Sequence, residues 1–263
     1  MITDVNVYPL AYSNNNTVAL ASVIVDNAVA VNSIAVKCSQ EGELYLQLPQ
    51  KLNKATGQYE DIFFPITKEA RDELNSKIFD KLQNPDKNMD IKESFKGEPK
   101  IDVNISRYQK PLENGKIGSG TMTVGDSYVV KNVSAFQRPD GSTRYTLPQY
   151  KSLSGKFKSI VAPASKEMHP IIENAVNAEV NTQYSYYSVD NQTFKKLRDE
   201  APEMFKQCSG ADGKNVKIKF PTENKAEVLD TLAKLSGKNL SASAQATNAA
   251  KTAAPAVATA PRR

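Results

Sequence analysis

The chain has 263 residues, 40% of them hydrophobic and 24% charged, enough apolar material for the cores of one to three soluble domains. No apolar run approaches the ~18 residues of a membrane span, and "MITDVNVYPL" lacks the basic start and apolar stretch of a secretory signal, so a cytoplasmic protein with no membrane partner is expected. Two cysteines, Cys38 and Cys208, and one histidine, His169, exclude a disulfide scaffold, a Cys-rich zinc site and any catalytic set needing several imidazoles.

The pattern opens with a strand at Asp4–Tyr8, a polar loop and a second strand, "ALASVIV". Asp26-Asn27 tolerates the positive φ of a two-residue hairpin turn and leads into "AVAVNSIAV". The turn "SQEG" and the short strand "LYLQL" complete an antiparallel meander. The loop "LPQKLNKATGQYEDIFFP" follows, and beyond Pro65 comes a helix that Thr67 can cap, with Ala70, Leu74, Ile78 and Leu82 as its buried stripe.

The same order then recurs. "DVNI" (Asp102–Ile105) repeats "DVNV" (Asp4–Val7), and at a constant offset Val25, Val31, Gly42, Leu48, Pro49 and Gln50 meet Val124, Val130, Gly141, Leu147, Pro148 and Gln149. Beyond a one-residue deletion, Gly57, Ile62, Pro65, Lys68 and Glu69 meet Gly155, Ile160, Pro163, Lys166 and Glu167. The second copy runs "GTMTV", a Gly125-Asp126 turn, "YVVKNVSAF", "RPDG", "TRYTL" and the loop "LPQYKSLSGKFKSIVAP". Ile172, Val176 and Val180 form its helix stripe, and Pro170 predicts that this helix starts later or bends near His169.

A meander followed by Leu-Pro, a basic Gly-containing loop, an aromatic, Asp-Ile, Pro and one amphipathic helix resembles the SpoVG family (stage V sporulation protein G, a septation regulator). The resemblance is clearest in "DNAVAVNSIAV", "LPQKLNKATGQYEDIFFPI" and "TKEARDEL", covering residues 2–82 and, more weakly, 100–180. It implies small bacterial regulators that dimerise, bind DNA or RNA and need no cofactor. It also implies nucleic-acid contacts from the loop lysines Lys51, Lys54, Lys151, Lys156 and Lys158, and from the helix starts through Lys68, Arg71, Lys166 and His169. Arg144, on the strand before the second loop, completes this basic set. Glu60 stands where the family has a base before Asp-Ile, and Ser159 replaces the Asp in the second copy. If single-domain relatives pair as homodimers, the tandem chain can supply both halves of a pseudo-dimer, joined at high effective concentration.

From Gln183 onward no third copy is found. "YSYYSV" reads as a strand and "DNQTFKKLRDEAPEMF" as a helix with Phe194, Leu197 and Met204 inward and Pro202 bending its end. "VKIKF" reads as a strand with Val216, Ile218 and Phe220 on one face and Lys217 and Lys219 on the other. "TENKAEVLDTLAKL" reads as a second helix with an Asn224–Glu227 cap pairing. The Ala/Ser/Thr-rich remainder has no apolar period and is expected to be disordered. The expected organisation is therefore α+β: repeat one at 1–83, a linker at 84–99, repeat two at 100–182, a β-α-β-α unit at 183–236 and a tail at 237–263.

Charge separates these parts, with net −3 over residues 1–85, −1 over 86–99, +4 over 100–182 and +5 over 183–263. The basic second half suits an anionic partner, although excesses of this size also occur on solvated surfaces. Lys217 and Lys219 would guard an edge strand against aggregation, and Tyr184, Tyr186 and Tyr187 suit either base stacking or packing. No phosphate-cradling Gly loop, paired-carboxylate motif or nucleophile elbow occurs, so no enzyme is expected. The resemblance implies a nucleic-acid-binding regulator, with a protein-interaction module as the alternative.

Overall fold

The computed structural model describes residues 1–12, 15–53, 56–85, 99–207 and 215–237. Most of the expected linker, nearly all of the expected tail, Lys54 and Cys208 lie outside these residues. Residues 1–181 form one compact unit and the chain from Thr182 a second.

The first half of unit one begins with β1 (Ile2–Pro9), β2 (Thr17–Val25), β3 (Val29–Cys38) and β4 (Leu44–Gln47). A small hairpin, β5 (Gln50–Leu52) and β6 (Tyr59–Asp61), stands apart as a separate two-stranded sheet. Then come β7 (Phe63–Pro65) and α1 (Lys68–Gln83). The second half repeats this order with β8 (Ile101–Arg107), β9 (Lys116–Val124), β10 (Tyr128–Gln137) and β11 (Thr143–Thr146). Its hairpin is β12 (Gln149–Lys151) with β13 (Phe157–Ser159), followed by β14 (Val161–Pro163) and α2 (Met168–Asn181).

Local chemistry sets these elements. In β2, Ala19, Ala21, Val23 and Val25 are buried and alternate with more exposed residues, the period-2 signature of a one-faced strand. Asp26 and Asn27 (φ +47° and +53°) and Gly125 and Asp126 (+60° and +53°) make the two turns, whose left-handed pairs match strand twist. Thr67 Oγ1 accepts from Ala70 N at 3.1 Å and caps α1 as expected. Ala70, Leu74 and Ile78 are buried, while Leu82 is half-buried against the same core. The second helix starts at Met168, two residues past Lys166, the counterpart of the first residue of α1. Pro170 therefore occupies its first turn, where no intrahelical N–H bond is lost.

Two five-stranded sheets result, β1-β2-β3-β14 with β4 also on β3, and β11-β10-β9-β8 with β7 also on β10. Each half thus donates its post-hairpin strand to the other half's sheet. Val161, Ala162 and Pro163 pair with Val31, Ala30 and Val29, while Phe63, Phe64 and Pro65 pair with Val130, Val129 and Tyr128. The flanking bonds are also matched: Asn32 N donates to Ile160 O and Lys131 N to Ile62 O, both at 2.7 Å. Ala164 N donates to Ala28 O at 2.9 Å and Ile66 N to Ser127 O at 2.8 Å. Counterpart residues make counterpart contacts, the isologous pattern of a two-fold interface.

One hydrophobic core spans both halves. Phe63 and Tyr128, both fully buried, stack across the exchange with ring centroids 5.4 Å apart, and the Tyr128 hydroxyl donates to Ala70 O at 2.9 Å. At the turns, a Cβ on Gly125 would lie 1.6 Å from Oδ2 of Asp26, its own counterpart in the first half. The buried Asp26 carboxylate also accepts from the Met1 ammonium at 2.7 Å. Among the described residues Cys38 is a free, half-buried thiol.

Unit two comprises β15 (Tyr184–Asp190), α3 (Asn191–Glu200), a 3-10 turn at Pro202–Met204, β16 (Lys206–Gln207), β17 (Asn215–Pro221), a second 3-10 turn at Thr222–Asn224 and α4 (Lys225–Ser236). Val216, Ile218, Phe220, Leu197, Val228 and Leu232 belong to its own buried core. Two expectations fail here. The strand carrying Lys217 and Lys219 is central, in the order β15-β17-β16, so the edge-guarding role does not apply. Lys219 is only 3% exposed, its ammonium 4.3 Å from the Tyr184 ring centroid. Asn224 makes no side-chain cap bond, because the preceding 3-10 turn gives it φ −88° and ψ 7° instead of the extended backbone a side-chain cap needs.

Two measurements test this architecture. Burial pushes the Glu73 carboxyl up, but hydrogen bonds from Lys77 and from Ile2 N, with the Lys77 charge, outweigh it and hold its pKa below the ordinary 4.5. Its stabilisation is therefore present above pH 4.5 and lost as pH falls through the depressed folded value, so acid unfolding of Glu73→Gln should show a flatter pH dependence across that interval. Gly125→Ala should cost at least about 1–2 kcal/mol in denaturant unfolding from its left-handed backbone alone, before the clash with Asp26.

Candidate nucleic-acid interface

The two small hairpins form a pair of arms. In arm one Lys51 lies opposite Glu60, and Gln50 lies opposite Asp61, to which its amide donates at 2.8 Å. The Asn53 amide likewise donates to Glu60 at 2.7 Å. In arm two Tyr150 lies opposite Lys158 and Lys151 opposite Phe157, with Lys156 on the connecting turn closed by Gly155 at φ +77°. All six strand residues of arm two are exposed. Tyr150, Leu153 and Phe157 stand in solvent, Phe157 at 71% and Leu153 without cover. Lysines and exposed rings therefore alternate along arm two, and residues 149–159 contain no carboxylate.

The arm roots border two clefts related by the same internal correspondence. One, of about 420 Å³, is lined by Ser33, Ala35, Gln47, Gln50, Tyr59, Tyr150 and Ile160 among others. The other, of about 440 Å³, is lined by Asn132, Ser134, Thr146, Gln149, Gln50, Lys51, Tyr150 and Ile160 among others. Ser33 and Asn132 are counterparts in left-handed backbone, φ +64° and +61°. Each sits where the ladder to the preceding strand slips register. These bulges reset the inward phase, so Val29 and Val31 are followed by Ile34 and Val36, and Tyr128 and Val130 by Val133 and Ala135. They also leave Ser33 and Asn132 exposed at the cleft mouths.

The basic residues named from the sequence divide between two places. Cross-strand pairs Ser134–Thr146 and Phe136–Arg144 share a face of the second sheet, so Arg144 lies one ladder step from the second cleft, its guanidinium 4.9 Å from the Phe136 ring centroid. Tyr145 points to the opposite face, where its hydroxyl meets Nδ1 of His169 at 3.0 Å. Burial, then the charge of Glu173, pushes that phenol up to about 12, so it is neutral at physiological pH. His169 therefore lies on the helix side and not with arm two. Lys68 and Arg71, in the first turn of α1, follow arm one in the chain only after Ile62, β7, Ile66 and Thr67. Lys166 has the matching position before α2. Among the described residues, Lys51, Lys68, Arg71, Lys151, Lys156, Lys158 and Lys166 form no salt bridge. No described cluster of His, Cys, Asp and Glu could hold a metal ion, and no described helix is long and apolar enough to cross a membrane.

Comparison with known proteins agrees with the first half of this arrangement. The SpoVG family model matches residues 1–84. A protein of Archaeoglobus fulgidus described as "Putative septation protein SpoVG" is 34% identical over 73 residues, spanning 28% of this chain and 82% of that relative. The chain belongs to the SpoVG family. No solved structure matches it. Within this SpoVG-family chain, the loop that carries the family pattern is arm one, and the more basic arm two lies beyond the matched residues. Of the loop lysines named from the sequence, Lys51, Lys151, Lys156 and Lys158 lie on the arms and Lys54 lies outside the described residues, while Tyr59, Tyr150, Leu153 and Phe157 as exposed apolar groups, and both bulges, were missed. The bulge signal was present as the phase slip in "VAVNSIAV" and "YVVKNVSAF".

The left-handed backbone at Asn132 sets a clear expectation. Asn132→Val should destabilise the protein by about 1–2 kcal/mol in thermal or denaturant unfolding, whereas Asn132→Gly should be tolerated.

Proposed function

We propose that the protein is a non-enzymatic, cytoplasmic nucleic-acid-binding regulator in which two SpoVG-like repeats act as an intrachain pseudo-dimer. DNA or RNA is held mainly by arm two. The observation that carries this reading is the run of three lysines without a salt bridge, interleaved with exposed rings and free of acid, on a hairpin that forms its own two-stranded sheet. Lysines supply sequence-independent phosphate contacts, and aromatic rings supply flat surfaces for bases. Arg144 adds a cation on the sheet face that carries Ser134 and Thr146. Arm one, with Glu60 and Asp61 bound to its own amides, serves as the structural partner of the pair. The reciprocal strand exchange supports the pseudo-dimer. The exposed Leu153 and Phe157 would also suit a protein partner, and that is the alternative reading.

Anisotropy titrations with labelled DNA and RNA over a range of salt concentrations test the proposal. Binding should weaken steeply with salt, and replacing Lys151, Lys156 and Lys158 with Ala should lower the log–log salt slope by about 2–3, roughly one per phosphate contact. Charge reversal at these three should weaken binding more than reversal at Lys51 and Lys54. No binding at low salt would leave the protein-interaction reading, and equal effects from the two arms would remove the assignment to arm two.

A further inference from the structure

We propose that the cleft at the root of arm two receives an unpaired nucleobase, making single-stranded nucleic acid the preferred ligand. This rests on the nucleic-acid reading above and narrows its ligand class. The side chains of Asn132, Ser134, Thr146 and Gln149 line this cleft of about 440 Å³, and none makes a hydrogen bond to another described residue. Two amides and two hydroxyls thus offer donors and acceptors together, the combination that reads the edge of a base. Tyr150, 42% exposed, provides a ring at the same cleft, and buried Leu147 and Ile160 supply its apolar lining. Lys51 lines it from the first half, placing a cation for the adjoining phosphate.

The related cleft differs in its polar groups. Ala35 stands there where Ser134 stands here, and Gln47 donates to Gln50 Oε1 at 3.4 Å. Gln50 borders both clefts and is held by Asp61 at 2.8 Å, whereas its counterpart Gln149 lines only the second cleft. The second cleft is therefore the one whose own amides and hydroxyls are left open for hydrogen bonding. A base stacked and paired in a duplex cannot present its edge to such a recess without being flipped out, at a cost of a few kcal/mol. A single strand pays no unpairing cost and lets its phosphates follow Lys151, Lys156 and Lys158 along the arm.

The test uses the full chain at low salt, with labelled single-stranded homopolymers of about twelve nucleotides and a hairpin duplex of similar length. Single strands should bind about tenfold or more tightly than the duplex. Tyr150→Ala should weaken single-strand binding about five- to a hundred-fold, the range expected for a lost stacking partner. Asn132→Gly, which keeps the left-handed backbone, and Gln149→Ala should each weaken it severalfold, with duplex binding unchanged and unfolding transitions near wild type. Duplex bound as tightly as single strand, or variants that weaken both alike, would overturn the cleft assignment while leaving the lysine-dependent binding intact. Absence of binding to either probe would overturn both readings.

Discussion

The reciprocal exchange of β7 and β14 is the constraint on which the rest of unit one depends. A three-residue strand contributes few ladder bonds, yet each exchanged strand fills an edge position that its own sheet cannot fill. Backbone groups of Val29–Val31 and Tyr128–Val130 would otherwise present an open edge, and buried N–H and C=O groups without partners are costly. The exchange also seats Phe63 against Tyr128 and draws both helix stripes into a single core. Covalent linkage makes the pairing of the two halves an intramolecular step.

A shared core is combined with two arms whose sequences differ. Positions that maintain the exchange keep their chemistry in both halves: the left-handed turns, Pro65 and Pro163, and the bulges at Ser33 and Asn132. Positions on the arms diverge. Arm one folds its amides back onto Glu60 and Asp61, whereas arm two leaves lysines and rings facing solvent. A homodimer of identical chains cannot make this distinction, because any change on one arm appears on the other.

Much of this architecture was legible because it depends on local rules. The turns at Asp26-Asn27 and Gly125-Asp126, the Thr67 cap and the helix stripes follow from residue type and spacing alone. The strand exchange was not legible, because "IFFP" and "IVAP" carry the same apolar signal whichever sheet receives them. The lysines of the arms could be placed, but whether they paired with acid depended on hairpin register, as did the exposure of Tyr150 and Phe157. Lys219 went astray for a related reason: alternation assigned its face correctly, but strand order, a tertiary property, put it in the middle of the sheet beside Tyr184. Asn224 was misread because a 3-10 turn entered the helix where an extended cap was assumed.

The exchange also governs the order of events during synthesis. Val31 and Val161 lie 130 positions apart in the chain, so the Val29–Val31 end of β3 lacks its β14 partner until nearly all of unit one has left the ribosome. In that interval the first half carries β7, with Phe63, and no second sheet to receive it. Such long-range pairing slows folding and exposes strand edges and apolar side chains to other nascent chains. The first half matches the family, but in this chain its β3 ladder is completed only by a strand from the second half.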